Sequence, residues 1–530
     1  MPEVVSTTDD HRWWRDAVIY EVYVRSFGDA DGDGVGDLAG ITERLPHLKW
    51  LGVDAVWITP FYTSPQHDHG YDVADYCDVD PLFGDLADAD ALLARARELG
   101  LRVIVDLVPN HSSSEHPWFR AALAAEPGSP ERARYLFRTG RQGGEQPPNN
   151  WESVFGGPAW TRVGETDQWY LNLFDSTQPD FDWRNPEVGD MFEGVLRFWL
   201  DRGVDGFRVD VAHGLFKEES LRDQVVPERA PAGETRAMVE RTLDDEPMWD
   251  QPEVHDVYRR WAKVLDEHGP DRMAVAEAWT QTPESLARFI RPDELDQAFN
   301  FAWLLADWSA AAFAQVITDT IAAVRPVDST PTWVLSNHDV IRHVTRYGGG
   351  TTGLARARAA TLAMLALPGA SYIYQGEELG LEEVEVAPEH RQDPTWHRGG
   401  GKFRDGCRVP MPWAGGAPPY DFGPGSGQPW LPQPLDWADL TVAAQRGTPG
   451  STLEFYRSAL AARRAELAGA GADVEMLDAG PDVLAFRRGD VTVVLNAGDT
   501  ACALPDGEVV IASGPVDGDL PPDTTVWLRG

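Results

Sequence analysis

The sequence predicts an α/β fold: a (β/α)8 TIM barrel with a subdomain inserted after its third strand and an antiparallel β domain at its C-terminus. Three observations predict it. Eight short, β-rich apolar runs follow one another along the chain, most of them separated by stretches with helical spacing. A long segment rich in Trp, Pro, Gly and Asn interrupts this alternation after the third run. From about Ala470 the pattern changes to short alternating segments set between Gly and Asp turns.

The eight runs are AVIYEVYV from Ala17, VDAVWI from Val53, LRVIVDLV from Leu101, VDGFRVDV from Val204, MAVAEAW from Met273, QAFNFAW from Gln297, TPTWVLSNHD from Thr330 and ASYIYQGEE from Ala370. Continuous apolar runs of this length suit strands buried on both faces, as in a parallel sheet. DLADADALLARARELG, from Asp85, has the Ala, Leu and Arg spacing of an intervening helix. A doubly wound sheet is the alternative, but no GxGxxG follows the first strand. The stretch from His111 to Gln178 is too long for a plain loop and is expected to fold over the barrel mouth. The expected organisation is a barrel over 1–110 and 179–469, an inserted subdomain over 111–178, and a C-terminal β-sandwich over 470–530. STLEFYRSALAARRAELA, just before that last domain, closes the barrel. GGGT at Gly348 and RGGGK at Arg398 lack the strand–loop–helix setting of a phosphate loop and read as flexible loops.

Composition narrows the function. A net charge of −39 over 530 residues repels nucleic acid and anionic membranes but is compatible with a neutral small-molecule substrate. A count of 21 Trp residues fits core packing, and stacking of indoles on substrate rings would raise it too. Cys77, Cys407 and Cys502 form neither a disulfide framework nor a zinc site. The opening MPEVVSTTDDHRWWRD lacks a basic segment followed by an apolar run, and no stretch is long enough to span a bilayer. A cytoplasmic protein without nucleic-acid or membrane partners is expected. Its oligomeric state is open.

Several runs end in chemistry-bearing residues, at the end of a barrel strand where catalytic groups sit. The acids are Asp210, Glu277 and Asp339, each from a different run. Glycosidic cleavage needs one carboxylate at the anomeric carbon and one carboxylic acid at the leaving oxygen. Asp210 suits the first role: Arg208, two residues earlier, shares its strand face and favours the ionised form. Alone, FRVD reads equally as a structural ion pair. Glu277 suits the second, since its apolar and aromatic sequence surroundings are expected to favour a held proton. Asp339 is cast as a clamp on ring hydroxyls, and His111 and His338 as donors to sugar hydroxyls. Without an HExxH pair or matching cysteines, a His-based metal site is not expected.

Taken together, DLVPNH from Asp106, QPDFD from Gln178, GFRVDV from Gly206, AVAEAW from Ala274 and SNHD from Ser336 resemble the sequence regions of the α-amylase superfamily, glycoside hydrolase family 13. QPDFD and GYDVADY, from Gly70, resemble its oligo-1,6-glucosidase and α-glucosidase branch. The resemblance runs from WWRDAVIYEVYVRSF to the C-terminal domain. It implies a retaining mechanism with Asp210 as nucleophile, Glu277 as acid/base and Asp339 as transition-state stabiliser, with His111, Arg208 and His338 in the glucose subsite. It further implies that Asp72 and Arg408 grip the non-reducing end of that glucose and that Tyr71 stacks beneath it, which means exo action.

DADGDGVGD, from Asp29, has acids at positions one, three, five and nine and Gly at six, the pattern of a calcium loop. Asp29, Asp31, Asp33 and Asp37 would supply carboxylates and Val35 a carbonyl; Gly40 stands where a bidentate Glu would complete the shell. The resemblance implies a structural Ca²⁺ or Mg²⁺ there and no organic cofactor.

The function expected is an exo-acting, retaining α-glucosidase for short α-glucosides. Oligo-1,6-glucosidase and α-glucosyltransferase are the nearest alternatives, and a catalytically inactive carbohydrate-binding or transporter-associated relative is the one from another class. In this branch Val after the nucleophile accompanies α-1,6 activity. Val211 fits, but Ala212, His213 and Gly214 depart from that context, so linkage preference is not settled by the sequence.

Overall fold

The computed structural model describes residues 12–225, 246–398, 403–425 and 427–530. All eight apolar runs form strands of one closed parallel barrel: β1 Val18–Val22, β2 Ala55–Ile58, β3 Arg102–Leu107, β4 Gly206–Val209, β5 Met273–Ala276, β6 Gln297–Asn300, β7 Thr332–Val334 and β8 Ala370–Tyr374. The ring closes where Val18 pairs with Ser371 and Ile19 with Ala55. Side chains alternate between two apolar layers. Ile19, Trp57, Ile104, Val275, Phe299 and Tyr372 fill the barrel, while Val18, Tyr20, Val56, Val103 and Val105 pack outward under the helices. Burial on both faces explains why the strands read as unbroken apolar runs.

Local signals set the helices. Leu86–Leu99 starts with a reciprocal capping box between Asp85 and Asp88 and stops at Gly100 in the left-handed region. Thr452–Leu467 closes the barrel: the Arg463 guanidinium donates to the carbonyls of Leu365, Leu367 and Gly369 at the foot of β8. The Gly348 run departs from the loop expected of it. Gly349 is the N-cap of a helix, Gly350–Ala366. It follows a helix rather than a strand, so the setting of a phosphate loop is still missing. Gly399–Lys402, most of the RGGGK stretch, lies outside the described residues.

Between β3 and β4 the chain builds a three-stranded antiparallel sheet from Phe137–Thr139, Gln168–Leu171 and Trp160–Arg162. A small core of Leu136, Trp151, Phe155, Trp160 and Leu171 extends onto Val211 and Trp249, so this insert packs directly against the segment following β4. At the C-terminus a five-stranded antiparallel sheet spans Glu475–Leu477 to Thr524–Arg529. One face lies on the Gly350–Ala366 helix, where Trp527 Nε1 donates to the Leu362 carbonyl. Leu520, from a two-stranded ribbon with Cys502–Ala503, covers the other face. Among the described residues, no helix is long and apolar enough to cross a membrane.

Candidate active site

The C-terminal ends of β2, β3, β4, β5 and β7 converge on one pocket. Its wall holds Asp68, Tyr71, His111, Asp210, Glu277, Asp339 and Arg404, with Phe155 and Phe174 from the segment inserted between β3 and β4 forming one side. Asp210, Glu277 and Asp339 therefore meet, although each comes from a different strand.

Arg208 organises the floor. Strand register sets it beside Asp106 on β3 and Val275 on β5. Its Nη1 donates to Asp106 Oδ1 at 3.0 Å and to Asp210 Oδ1 at 2.6 Å, and its Nη2 lies 3.0 Å from Glu277 Oε2. Three buried carboxylates thus share one guanidinium, itself 1% exposed. Burial pushes the Asp106 and Asp210 carboxyls upward, and the Arg208 guanidinium beside them pulls both back toward the ionised form. Both oxygens of Glu277 are held: Oε1 accepts from Trp279 Nε1 at 3.1 Å and Oε2 from the Val211 amide at 2.9 Å. Val211 makes that contact with φ of +46°. A β-branched residue in the left-handed region carries strain of about 1–3 kcal/mol.

Asp339 faces the opposite charge balance. Arg408 Nη2 lies 2.8 Å and Arg404 Nη1 3.1 Å from its Oδ1, and His338 Nε2 lies 3.2 Å from its Oδ2. Burial would raise the carboxyl, but the Arg404 and Arg408 guanidiniums outweigh it and hold it well below the usual range. Burial pushes His111 down to about 4 and keeps His338 low, so both rings are neutral near pH 7. His111 Nε2 lies 3.1 Å from the Tyr71 carbonyl and from Gln178 Nε2. The Tyr71 ring stacks on His338 at 5.3 Å, and its hydroxyl donates to Asp106.

One expected pair is not where the sequence reading put it. Asp72 is buried beneath the wall, its oxygens accepting from Ser64 Oγ, His67 N and Asp68 N at 2.9–3.0 Å. The turn through His69 (φ +53°) and Gly70 (φ +104°) folds Asp72 back onto its own amides, and a Cβ on Gly70 would strike the Pro60 carbonyl at 2.7 Å. Asp68 lines the pocket instead, 2.8 Å from Arg404 Nη2. Arg408 is fully buried behind Asp339 and does not line the pocket. Asp68 and Arg404 each precede the expected residue by four positions in the same motif, and sequence alone offers nothing to separate them. Asp106 and Lys217 were also missed. Lys217 Nζ binds Asp180 Oδ1, Asn110 Oδ1 and the Gly214 carbonyl at 2.6–2.8 Å, tying the inserted segment to the segments after β3 and β4.

Burial pushes the Asp68 carboxyl up to about 6, against the pull of Arg404 and Arg408. Asp68 is thus charged above that pH and neutral below it, and the ion pair with Arg404 weakens as pH falls. The acid limb of kcat/KM for a neutral substrate is expected near pH 6, reporting the free enzyme. An identical limb in Asp68→Asn would overturn this assignment.

Of the expected metal ligands, Asp29, Asp31 and Asp37 bring carboxylate oxygens within 4.8 Å of one another. Asp33 is not in that cluster; its Oδ1 accepts the Val35 amide at 2.7 Å. The Gly32 and Gly34 amides hold Asp29, and the Ala30 and Gly40 amides hold Asp37. Three carboxylates fixed in this way suit a hard, oxygen-seeking divalent cation.

Residues 21–470 match the family described as "Alpha amylase, catalytic domain". A probable alpha-glucosidase of Rhizobium meliloti (strain 1021) is 42% identical over 479 residues, covering 88% of this chain and 85% of the relative. An oligo-1,6-glucosidase of Parageobacillus thermoglucosidasius is 34% identical, covering 85% and 84%. The solved structure of an alpha-glucosyl transfer enzyme, XgtA, superposes with a TM-score of 0.87 at 38% identity over 98% of both chains. The trehalulose synthase MutB of Pseudomonas mesoacidophila MX-45 gives 0.86 at 30% identity over 98% of this chain and 99% of its own.

Proposed function

Because the chain belongs to the α-amylase family of glycoside hydrolases, we propose that it is an exo-acting, retaining α-glucosidase releasing glucose from the non-reducing end of short α-glucosides. The observation that carries this reading is the meeting of Asp210, Glu277 and Asp339 in one pocket whose wall is crossed by the Asp68–Arg404 ion pair. Asp210 attacks the anomeric carbon while Glu277 gives its proton to the leaving oxygen. Glu277 then takes a proton from water, which releases glucose from Asp210. Arg208 stabilises the charge on Asp210, and Asp339, ionised by its cationic neighbours, grips ring hydroxyls. The Asp68–Arg404 pair takes the role the sequence reading gave to Asp72 and Arg408, holding the terminal sugar and so favouring exo action.

Transfer is the second reading, favoured by the likeness to an alpha-glucosyl transfer enzyme. A glucosyl group on Asp210 passes to a sugar hydroxyl instead of water. Product analysis on maltose, isomaltose, sucrose and trehalose decides linkage and the balance of transfer. Proton NMR of the first product should show α-glucose; β-glucose first, or no turnover of any α-glucoside, would sink the retaining assignment.

The 29–37 loop is assigned a structural Ca²⁺ or Mg²⁺ held by Asp29, Asp31 and Asp37, with the Val35 carbonyl in reserve. An ion bound at 100 times its Kd adds about 2.7 kcal/mol of stability. Chelation is expected to lower Tm by several degrees, and Asp31→Asn should remove that response. An unchanged Tm on chelation and on adding back either ion refutes the site. Cys77, Cys407 and Cys502 are free, in keeping with a reducing compartment; we place the protein in the cytoplasm, which cell fractionation tests.

A further inference from the structure

Trp279, whose Nε1 donates to Glu277, lines two separate spaces. One is the active-site pocket. The other is a cavity of about 190 Å³ between the barrel wall and the helices Pro283–Arg288 and Ala310–Val324. Gln281, Thr282, Ala302 and Leu305, all exposed, stand at its mouth. Buried Pro331 and Thr332, at the N-terminal end of β7, mark its deep end, away from the sugar pocket.

The sequence explains why the space exists. Strands β1 to β3 turn Val18, Tyr20, Val56, Val103 and Val105 toward the helices, whereas β5 and β6 turn Ala274, Ala276 and Ala298. Ala287, on the helix facing them, adds no bulk either. A void left in this way loses packing contacts on every side, and a ligand restores them. No charged side chain lines the cavity among the described residues. Asn300 Nδ2 donates to Thr320 Oγ1 at 2.7 Å, and Thr280 Oγ1 donates to the Thr282 carbonyl at 3.2 Å. The Thr332 hydroxyl is left without a partner, one group where an ordered water needs two or more. Sugars and water clusters therefore find little to bind here. An apolar cavity of about 150 Å³ is already large enough to take benzene.

The cavity also touches the chemistry. Trp279 and Phe301 stack with 3.7 Å between centroids and 11° between planes, and both belong to its wall. A molecule seated behind this pair displaces the indole, and with it the Nε1 donor on Glu277 Oε1.

We propose that the cavity binds a small apolar molecule of benzene to toluene size, and that its occupancy slows acid-assisted cleavage through the Trp279–Phe301 pair. The binding stands apart from the α-glucosidase reading; the effect on rate rests on it.

Toluene is the probe. It should raise Tm saturably, as a ligand of the folded state does. Over the same concentrations it should lower kcat for the best disaccharide of the panel about threefold more than for 4-nitrophenyl α-glucoside, whose leaving group needs no proton, with KM unchanged for both. Ala287→Leu fills the cavity, and Ala302→Trp covers its mouth from an exposed position. Each should abolish both responses while keeping kcat without toluene within about twofold of the parent. No saturable rise in Tm, or the same rise in both variants, overturns the site. A rise in KM for both substrates places toluene in the sugar pocket and overturns it as well. A Tm response without any change in kcat overturns the coupling. Failure of the toluene-free enzyme on both substrates overturns the α-glucosidase reading instead.

Discussion

Asp210→Asn should lower kcat on 4-nitrophenyl α-glucoside by on the order of 10⁴-fold or more, with little change in KM. The amide keeps the shape of the side chain and one acceptor for Arg208 Nη1, but it cannot form the covalent glucosyl ester. Its effect on stability should run the other way. Asp210 is buried beside Asp106 and Glu277 around a single guanidinium, and burial and those neighbours push its carboxyl upward. Removing one of three crowded carboxylates relieves repulsion, so Tm should stay level or rise, a trade of stability for activity. Residual turnover within tenfold of the parent would displace Asp210 from the nucleophile role.

Glu277→Ala should separate the two steps of catalysis. With maltose the leaving oxygen needs a proton, and turnover is expected to drop by about 10³-fold, the scale of lost general acid catalysis. The nitrophenolate leaves without that help, so the glucosyl–Asp210 ester forms and waits for a base that is no longer present. Added azide needs no base and should restore turnover, giving α-glucosyl azide by attack on the ester. Alanine is the better probe than glutamine here. Both oxygens of Glu277 face donors, Trp279 Nε1 on one side and Val211 N with Arg208 on the other. A glutamine NH₂ would meet a donor whichever way it turned. Absence of azide rescue, or a β-glucosyl azide product, would count against Glu277 as acid/base.

These two variants also mark how much of the site the sequence carries. Asp210, Glu277 and Asp339 are readable because each follows an apolar run that is buried on both faces, and strand direction in a barrel sends all such ends to the same mouth. Arg208 is readable as a neighbour of Asp210 by period-two alternation. Its sharing with Asp106, 102 residues away, and with Glu277 is not. That contact depends on the strand order of the closed barrel, β3 beside β4 beside β5.

Motifs located the pocket wall to within one turn of chain and no better. HDHGYD contains two aspartates and FRDGCR two arginines, four residues apart in each case. The backbone at His69 and Gly70 turns Asp68 to the pocket and Asp72 to its own amides. In the acidic loop the spacing named five ligands, and the fold gathers the carboxylates of three. Periodicity and capping are set by neighbours in sequence, so the chain by itself determined the barrel and the origin of its catalytic acids. Which of two nearby side chains faces the substrate, and which distant charges share a partner, was decided only in the tertiary structure. There, packing between segments a hundred or more residues apart fixes the direction of each polar group.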